Sequence, residues 1–382
     1  MVNKLSTIFL SNIIQKIKRV NFTILFIIFL ICGISIACLY SAAAANYHPW
    51  AIKQLARFIL GFIILCLISF LDIRRIYEYS YFAYISSFIL LLGVEITGSI
   101  HKGGQRWIDL YVFKLQPSEL MKVTLILALC RYFHQKTYKD VGKLKSLVAP
   151  LTMTFLPTLL VLRQPDLGTA LILIMSAGMV FFISGIRYWK FASVIGTVLI
   201  SIPILWNLMH EYQRGRVLTF LNPERDSKGA GYHIIQSKIA LGSGGIFGKG
   251  WMEGTQSQLN FLPEKQTDFI FTLFGEEFGI IGCIVLLTLY GIVISYGYYV
   301  ASISRNRFGQ LVSIGLSGVL FLYVSVNIGM VMDILPVVGV PLPIMSYGGT
   351  SSITFFINMG IIFCVKIHND ARFNKNPTNM GA

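Results

Sequence analysis

The sequence predicts an all-α integral membrane protein of about ten transmembrane helices, with both termini in the cytoplasm and a large extracytoplasmic loop between helices 7 and 8. Three observations carry this reading. Only 13% of the residues are charged while 55% are hydrophobic, against roughly 25% charged in an average soluble domain. Mean hydropathy is +0.68, and apolar runs recur at lengths near the ~20 residues that cross a hydrocarbon core. The Lys and Arg residues gather in alternate short loops.

In chain order the candidate spans are 21–41, 55–71, 79–97, 118–134, 146–163, 167–186, 191–209, 268–298, 309–332 and 350–366. The first follows basic residues and ends in SAAAANY, like a secretory signal. Its apolar stretch is longer than the roughly 7–15 residues of a signal core, so it is read as a retained span. With the N-terminus inside, 18 of the 32 Lys and Arg fall in cytoplasmic segments, seven more lying in the single long loop 210–267. Long loops obey the positive-inside rule poorly, so the bias of the short loops sets the orientation. It also accounts for the net charge of +15 without nucleic acid as a partner. The chain reads as one polytopic domain over 1–382, with cytoplasmic tails at 1–20 and 367–382 and an extracytoplasmic loop at 210–267.

Cys32, Cys38, Cys66, Cys130, Cys283 and Cys364 all fall in spans and form no CxxC, so disulfides and zinc are not expected. No recognisable metal-ligand spacing or cofactor motif occurs, although a divalent cation (Mg or Mn) could still assist a phosphorylated substrate. Three segments break the apolar pattern: GSIHKGGQRWIDLYVFKLQP at 98–117, the loop 210–267, and PVVGVPLPIMSYGGTSS at 336–352. Broken backbone at membrane depth is tolerated only where protein buries it or a wet cavity meets it. The expected topology brings all three to the outer face.

GSGGIFGKG invites a phosphate-loop reading, but the Walker pattern needs Gly at 243 and Ser or Thr at 250, where the chain has Ser243 and Gly250. The stretch is expected instead to form a flexible lip. In PEKQTDF, Pro263 is expected to begin a helix with Glu264 at its positive end. Asp268 is less easily explained, because apolar Phe269, Ile270 and Phe271 follow it at once. An acid placed there loses hydration, which makes its carboxylate more basic and suits a general base; a salt bridge to Lys265 is the structural alternative. Glu276 and Glu277 lie deeper and are expected to face the bundle interior, one of them meeting a cation or orienting the site.

Glu119 and Lys122 share a helical face, as an internal ion pair or with Lys122 turned to an anionic substrate. Arg106 and Trp107 set a phosphate-type binder beside an interfacial aromatic. In RQPDLG, Asp166 is expected to cap the sixth span.

GGQRWI, QPSELMK, QPDLGTA, GYHIIQSKIALGSGG, GKGWMEGTQSQLNFLPEKQTDFIF, GEEFG and PLPIMSYGGTS together resemble the SEDS (shape, elongation, division and sporulation) family, in family order and over essentially the whole chain. NFLPEKQTDFIF is closer to the RodA-type elongation branch than to the division branch. The resemblance implies a peptidoglycan glycosyltransferase of the bacterial inner membrane that polymerises lipid II beside a class B penicillin-binding protein, a transpeptidase. It places the family's essential acid at Asp268, its tryptophan at Trp107 and its lysine at Lys122. Gln105 departs from the motif, which often has a second arginine there.

For such a reaction Asp268 would serve as general base toward the acceptor hydroxyl. A diphosphate leaves as a stabilised anion, so it needs positive charge rather than a second acid. The cations expected to supply it are Lys122, Arg106, Arg214, Arg216, Arg225, Lys228 and Lys265. Direct displacement would invert the anomeric carbon. The rival readings are a flippase for lipid-linked precursors and a non-catalytic cell-wall scaffold.

Overall fold

The computed structural model describes residues 16–101, 104–109, 114–209, 211–226, 229–259, 261–262 and 264–370. All ten segments expected to span are helical: α1 Phe22–Ala42, α2 Ala51–Phe70, α3 Ile73–Thr97, α4 Pro117–Gln135, α5 Leu144–Arg163, α6 Leu167–Ile183, α7 Tyr188–Leu208 and, after two loop helices (α8 Glu211–Leu221 and α9 Ala230–Gly244), α10 Ile270–Ile303, α11 Arg307–Val331 and α12 Gly349–Ile367. Seven are long and apolar enough to cross a membrane, namely α1, α2, α3, α5, α10, α11 and α12. Leu167–Ile183 and Tyr188–Ile204 are shorter apolar helices. Local chemistry sets several ends. Asn21 Oδ1 accepts the amides of Thr23 and Ile24 at the start of α1, Asp72 caps α3, Asn306 caps α11, and Pro117 opens α4 where no amide partner is needed.

The core is built on α11 and α12, enclosed along most of their length. α12 lies against α2 through small residues: a side chain at Gly61 would strike the Phe356 ring, and one at Gly360 would press on Ile68 and Leu65. Most other helices keep an apolar face outward, as lipid-facing helices do. α7 is the extreme case, since none of its described side chains is buried. It is tied at its base by the Lys190 ammonium, which donates to the Gly142 carbonyl at 2.6 Å. At its far end Arg214 donates to the carbonyls of Trp206 and Asn207.

Between α3 and α4 the chain makes a short antiparallel sheet, β1 Ser99–His101, β2 Gly104–Asp109 and β3 Lys114–Leu115, in that order. The expectation of a wholly helical chain misses these strands. β2 carries Arg106 and Trp107.

α10 is broken at Gly279, whose φ of 65° and ψ of −165° leave the helical region. A break inside a membrane helix orphans amides and carbonyls that lipid cannot satisfy. The glycine-rich segment supplies the partners. Ile280 and Ile281 amides donate to the carbonyls of Gly245 and Ile246 at 3.0 and 3.2 Å, and the amides of Lys249 and Gly250 donate to the carbonyls of Glu276 and Glu277 at 3.0 and 3.1 Å. The approach is close enough that a Cβ on Gly248 would lie 2.1 Å from the Glu277 carbonyl, and one on Gly279 2.3 Å from the Gly248 amide. The stretch expected to be a flexible lip is therefore stitched into α10, because its glycines are what let two backbones pair at that distance.

Candidate active site

Asp268 sits in the turn 264–269, and α10 begins only at Ile270. The expectation that the helix starts near Glu264 is corrected here: Glu264 has a φ of 55°, outside helical backbone. Its carbonyl accepts from the Thr267 amide, and Thr267 Oγ1 donates to its carboxylate at 3.1 Å. Pro263, Lys228 and the Arg225 side chain lie outside the described residues.

The backbone around the acid is held from both sides. Tyr347 donates its amide to the Gln266 carbonyl at 2.8 Å. Ser346 Oγ donates to the Thr267 carbonyl at 2.6 Å. Asn327 of α11 spans the gap, its amide group donating to the Asp268 carbonyl at 3.0 Å and to the Val340 carbonyl at 2.8 Å. These bonds fix the turn against the Pro/Gly-rich segment after α11 and leave the half-buried Asp268 carboxylate against Gly339. A Cβ on Gly339 would lie 3.7 Å from Asp268 Oδ2, and the φ of 69° there strains any other residue. None of these supports is close to Asp268 in sequence, which is why a one-dimensional reading could not find Asn327, Ser346 or Gly339.

The start of α6 closes on the same segment: a side chain at Gly168 would strike the Val338 carbonyl. Asp166 caps α6, accepting the Thr169 amide at 3.2 Å and the Thr169 hydroxyl at 3.0 Å. Arg106, expected to reach a phosphate, turns its guanidinium to this corner. It donates to the carbonyls of Gln164 and Pro165 and lies 3.8 Å from the Asp166 carboxylate. Three carbonyl and carboxylate acceptors in one tight turn outcompete open solvent for a planar five-donor group. Trp107 is half-buried beside it.

Glu119 and Lys122 form a buried ion pair at 2.7 Å. The Tyr323 hydroxyl donates to both Glu119 oxygens at 3.0 and 2.8 Å, and the Lys122 ammonium lies 4.4 Å from the Tyr323 ring centre. A buried pair survives only with its remaining hydrogen-bonding capacity satisfied, and the phenol does this for Glu119.

The two deeper acids separate. Glu276, fully buried, accepts the amides of Gln256 and Ser257 at 2.9 and 3.1 Å, the Ser257 hydroxyl at 2.7 Å and the Lys249 ammonium at 3.1 Å. It caps the helical turn Thr255–Gln258 and anchors the loop. Glu277 accepts from the Ser41 hydroxyl of α1. Lys265 is buried and donates to the Ser257 carbonyl at 2.6 Å. Burial holds its ammonium below the usual lysine range, against the opposing pull of Glu277. His233 of α9 lies beside Phe269, ring centres 6.1 Å apart. Burial pushes its imidazole below the ordinary value of 6.5, opposed by Glu264 and Asp226. Arg214 is engaged at the end of α7 and Arg216 is half-buried. Among the described residues no three His, Cys, Asp or Glu side chains converge to hold a metal ion.

Fold and site together define a polytopic membrane protein with a carboxylate set among irregular backbone segments. A family model described as the FtsW, RodA and SpoVE cell cycle proteins matches residues 16–371. The chain belongs to that family. It is 45% identical over 318 residues to the peptidoglycan glycosyltransferase MrdB of Escherichia coli K12, covering 83% of this chain and 85% of the relative. It is 35% identical over 316 residues to MrdB of Helicobacter pylori, covering 82% of each. Among solved structures it matches a chain from a peptidoglycan synthase complex that coordinates polymerization and crosslinking, with a TM-score of 0.80, 28% identity, and 91% and 98% of the two chains covered. The RodA rod shape determining protein of Thermus thermophilus matches with a TM-score of 0.68 and 26% identity, over 91% of this chain and 96% of that one.

Proposed function

We propose that the chain is a peptidoglycan glycosyltransferase that polymerises lipid II at the outer face of the bacterial inner membrane during cell elongation, beside a class B penicillin-binding protein. The observation that carries the reading is the Asp268 carboxylate, fixed by backbone bonds from α11 and the Pro/Gly-rich segment and kept uncrowded by Gly339. A sugar hydroxyl is a weak nucleophile at neutral pH, and a positioned base typically contributes about 10²–10⁴-fold. Asp268 takes the proton of the acceptor 4-hydroxyl as its oxygen attacks the donor's anomeric carbon, and the diphosphate departs from the opposite side. That displacement inverts the centre and needs no covalent enzyme intermediate.

Lys122 is the cation assigned to the diphosphate. Its resting partner Glu119 lies 2.7 Å away inside the bundle. Arg106 and Asp166 act through the 164–166 turn, which they brace. α7, exposed along its described faces, is the side on which an undecaprenyl tail would remain in lipid while its sugars react. A flippase would spread its charges through a translocation path. Here Asp268, Glu276, Glu277, Glu119 and Lys122 all belong to the same end of the bundle, which favours surface chemistry.

The test is polymerisation of lipid II by the purified chain with its transpeptidase partner. Asp268→Ala should lose at least ~10²-fold in rate while eluting and melting like the parent. Glycan strands of normal length and yield from that variant would sink the assignment.

A further inference from the structure

Beside the Glu119–Lys122 pair lies a cavity of about 20 Å³, bordered by Tyr323 of α11 and by Thr354 and Asn358 of α12, the room of one water molecule. Two of its polar neighbours are unserved. Thr354 Oγ1 and Asn358 Oδ1 are buried with no hydrogen-bond partner, in residues only 5% and 8% exposed. Buried acceptors in this state are costly, and native interiors rarely leave them so.

The Lys122 ammonium has three N–H donors. One meets Glu119 Oε1 at 2.7 Å, and the Tyr323 ring lies against the group at 4.4 Å. That leaves donor capacity for the cavity. A ligand there must accept from Lys122 and donate to Asn358 Oδ1, while the Thr354 hydroxyl can take or give a hydrogen bond. It must also be neutral, because Glu119 already balances the ammonium. A water molecule has that valence; a second cation beside Lys122 would be repelled.

We propose that this cavity is a hydration site holding one water, which accepts from Lys122 and donates to Thr354 Oγ1 and Asn358 Oδ1. Through that water the two α12 side chains position the Lys122 ammonium for the substrate diphosphate. Thr354 and Asn358 are thus positioning residues, and this second step rests on the role given to Lys122 above.

The test has two arms. A structure of the full chain with its partner, at a resolution that shows ordered water, should place one peak at about 2.7–3.2 Å from Lys122 Nζ, Thr354 Oγ1 and Asn358 Oδ1. An empty cavity, or a larger ligand, overturns the site. In the polymerase assay Thr354→Ser keeps the hydroxyl and should stay within about twofold of the parent. Thr354→Val and Asn358→Leu remove an acceptor each and should raise KM for lipid II about tenfold with kcat little changed, the signature of lost uniform binding to a charged group. A purely structural role would lower melting temperature and active fraction but leave KM alone, and equal KM values for Thr354→Val and Thr354→Ser overturn the positioning role. Should Asp268→Ala prove active, the catalytic reading fails while the water peak stands or falls independently.

Discussion

Replacing Glu276 by Ala should release the 249–258 segment without unfolding the bundle. The carboxylate receives two backbone amides, a hydroxyl and an ammonium, all within 3.1 Å. Removing one partner of a buried, hydrogen-bonded charge cluster costs roughly 3–5 kcal/mol, since each stranded donor then bears its own desolvation penalty. The damage should be local. The helices around α11 make none of these bonds, whereas the turn Thr255–Gln258 has its first amides held by this acid. At 1.4 kcal/mol per factor of ten, even the lower figure raises the open population of the 249–258 segment about 100-fold. Hydrogen exchange read by mass spectrometry on peptides covering 249–262 measures this directly. Exchange should quicken by about two orders of magnitude there, with α11 and α12 unchanged. Glu276→Gln, which keeps an acceptor oxygen and loses the charge, should fall between. Parent-like protection of the Gln256 and Ser257 amides in Glu276→Ala would refute the clamp.

Gly339→Ala forces a side chain into left-handed backbone, costing roughly 1–2 kcal/mol; thermal melting should report that loss, and polymerisation should fall with it because the new Cβ faces Asp268. Lys122→Met alone should destabilise by about 3–5 kcal/mol by stranding Glu119, whereas Lys122→Met with Glu119→Leu should regain much of it; a double variant as unstable as the sum of the singles would count against the buried pair. For pH, His233 has its folded value held below the ordinary 6.5, so between those two values the unfolded chain binds more protons. Its contribution therefore favours the fold above pH 6.5 and is lost as pH falls toward the folded value; melting curves at stepped pH should show a smaller acid loss in His233→Gln than in the parent.

Much of the helical layout could be read along the chain, because a span is a local property. Runs such as 350–366 lie within a residue or two of the helix found, and Asp166 was legible as a cap from its neighbours alone. Asp268 was legible because an acid against a run of apolar residues is costly wherever the chain goes next. The partners were not. Arg106 reads as a phosphate binder until α5 and α6 bring three acceptors to it. Glu276 and Glu277 are identical in sequence context, and only the helix face decides that one meets the Thr255 turn and the other α1. The glycine-rich segment showed that close backbone approach was needed, but not that its target was a break in α10.

That docking has a consequence for inheritance and engineering. A Cβ on Gly248 would meet the Glu277 carbonyl, and one on Gly279 the Gly248 amide and the Ile246 carbonyl, so each glycine is demanded by the backbone of the other segment. The loop and the upper half of α10 are thus one heritable module despite straddling the membrane boundary. A chimera that swaps the loop while keeping its own α10 should fail at the seam, whereas exchanging 244–281 as a block carries both halves of the contact.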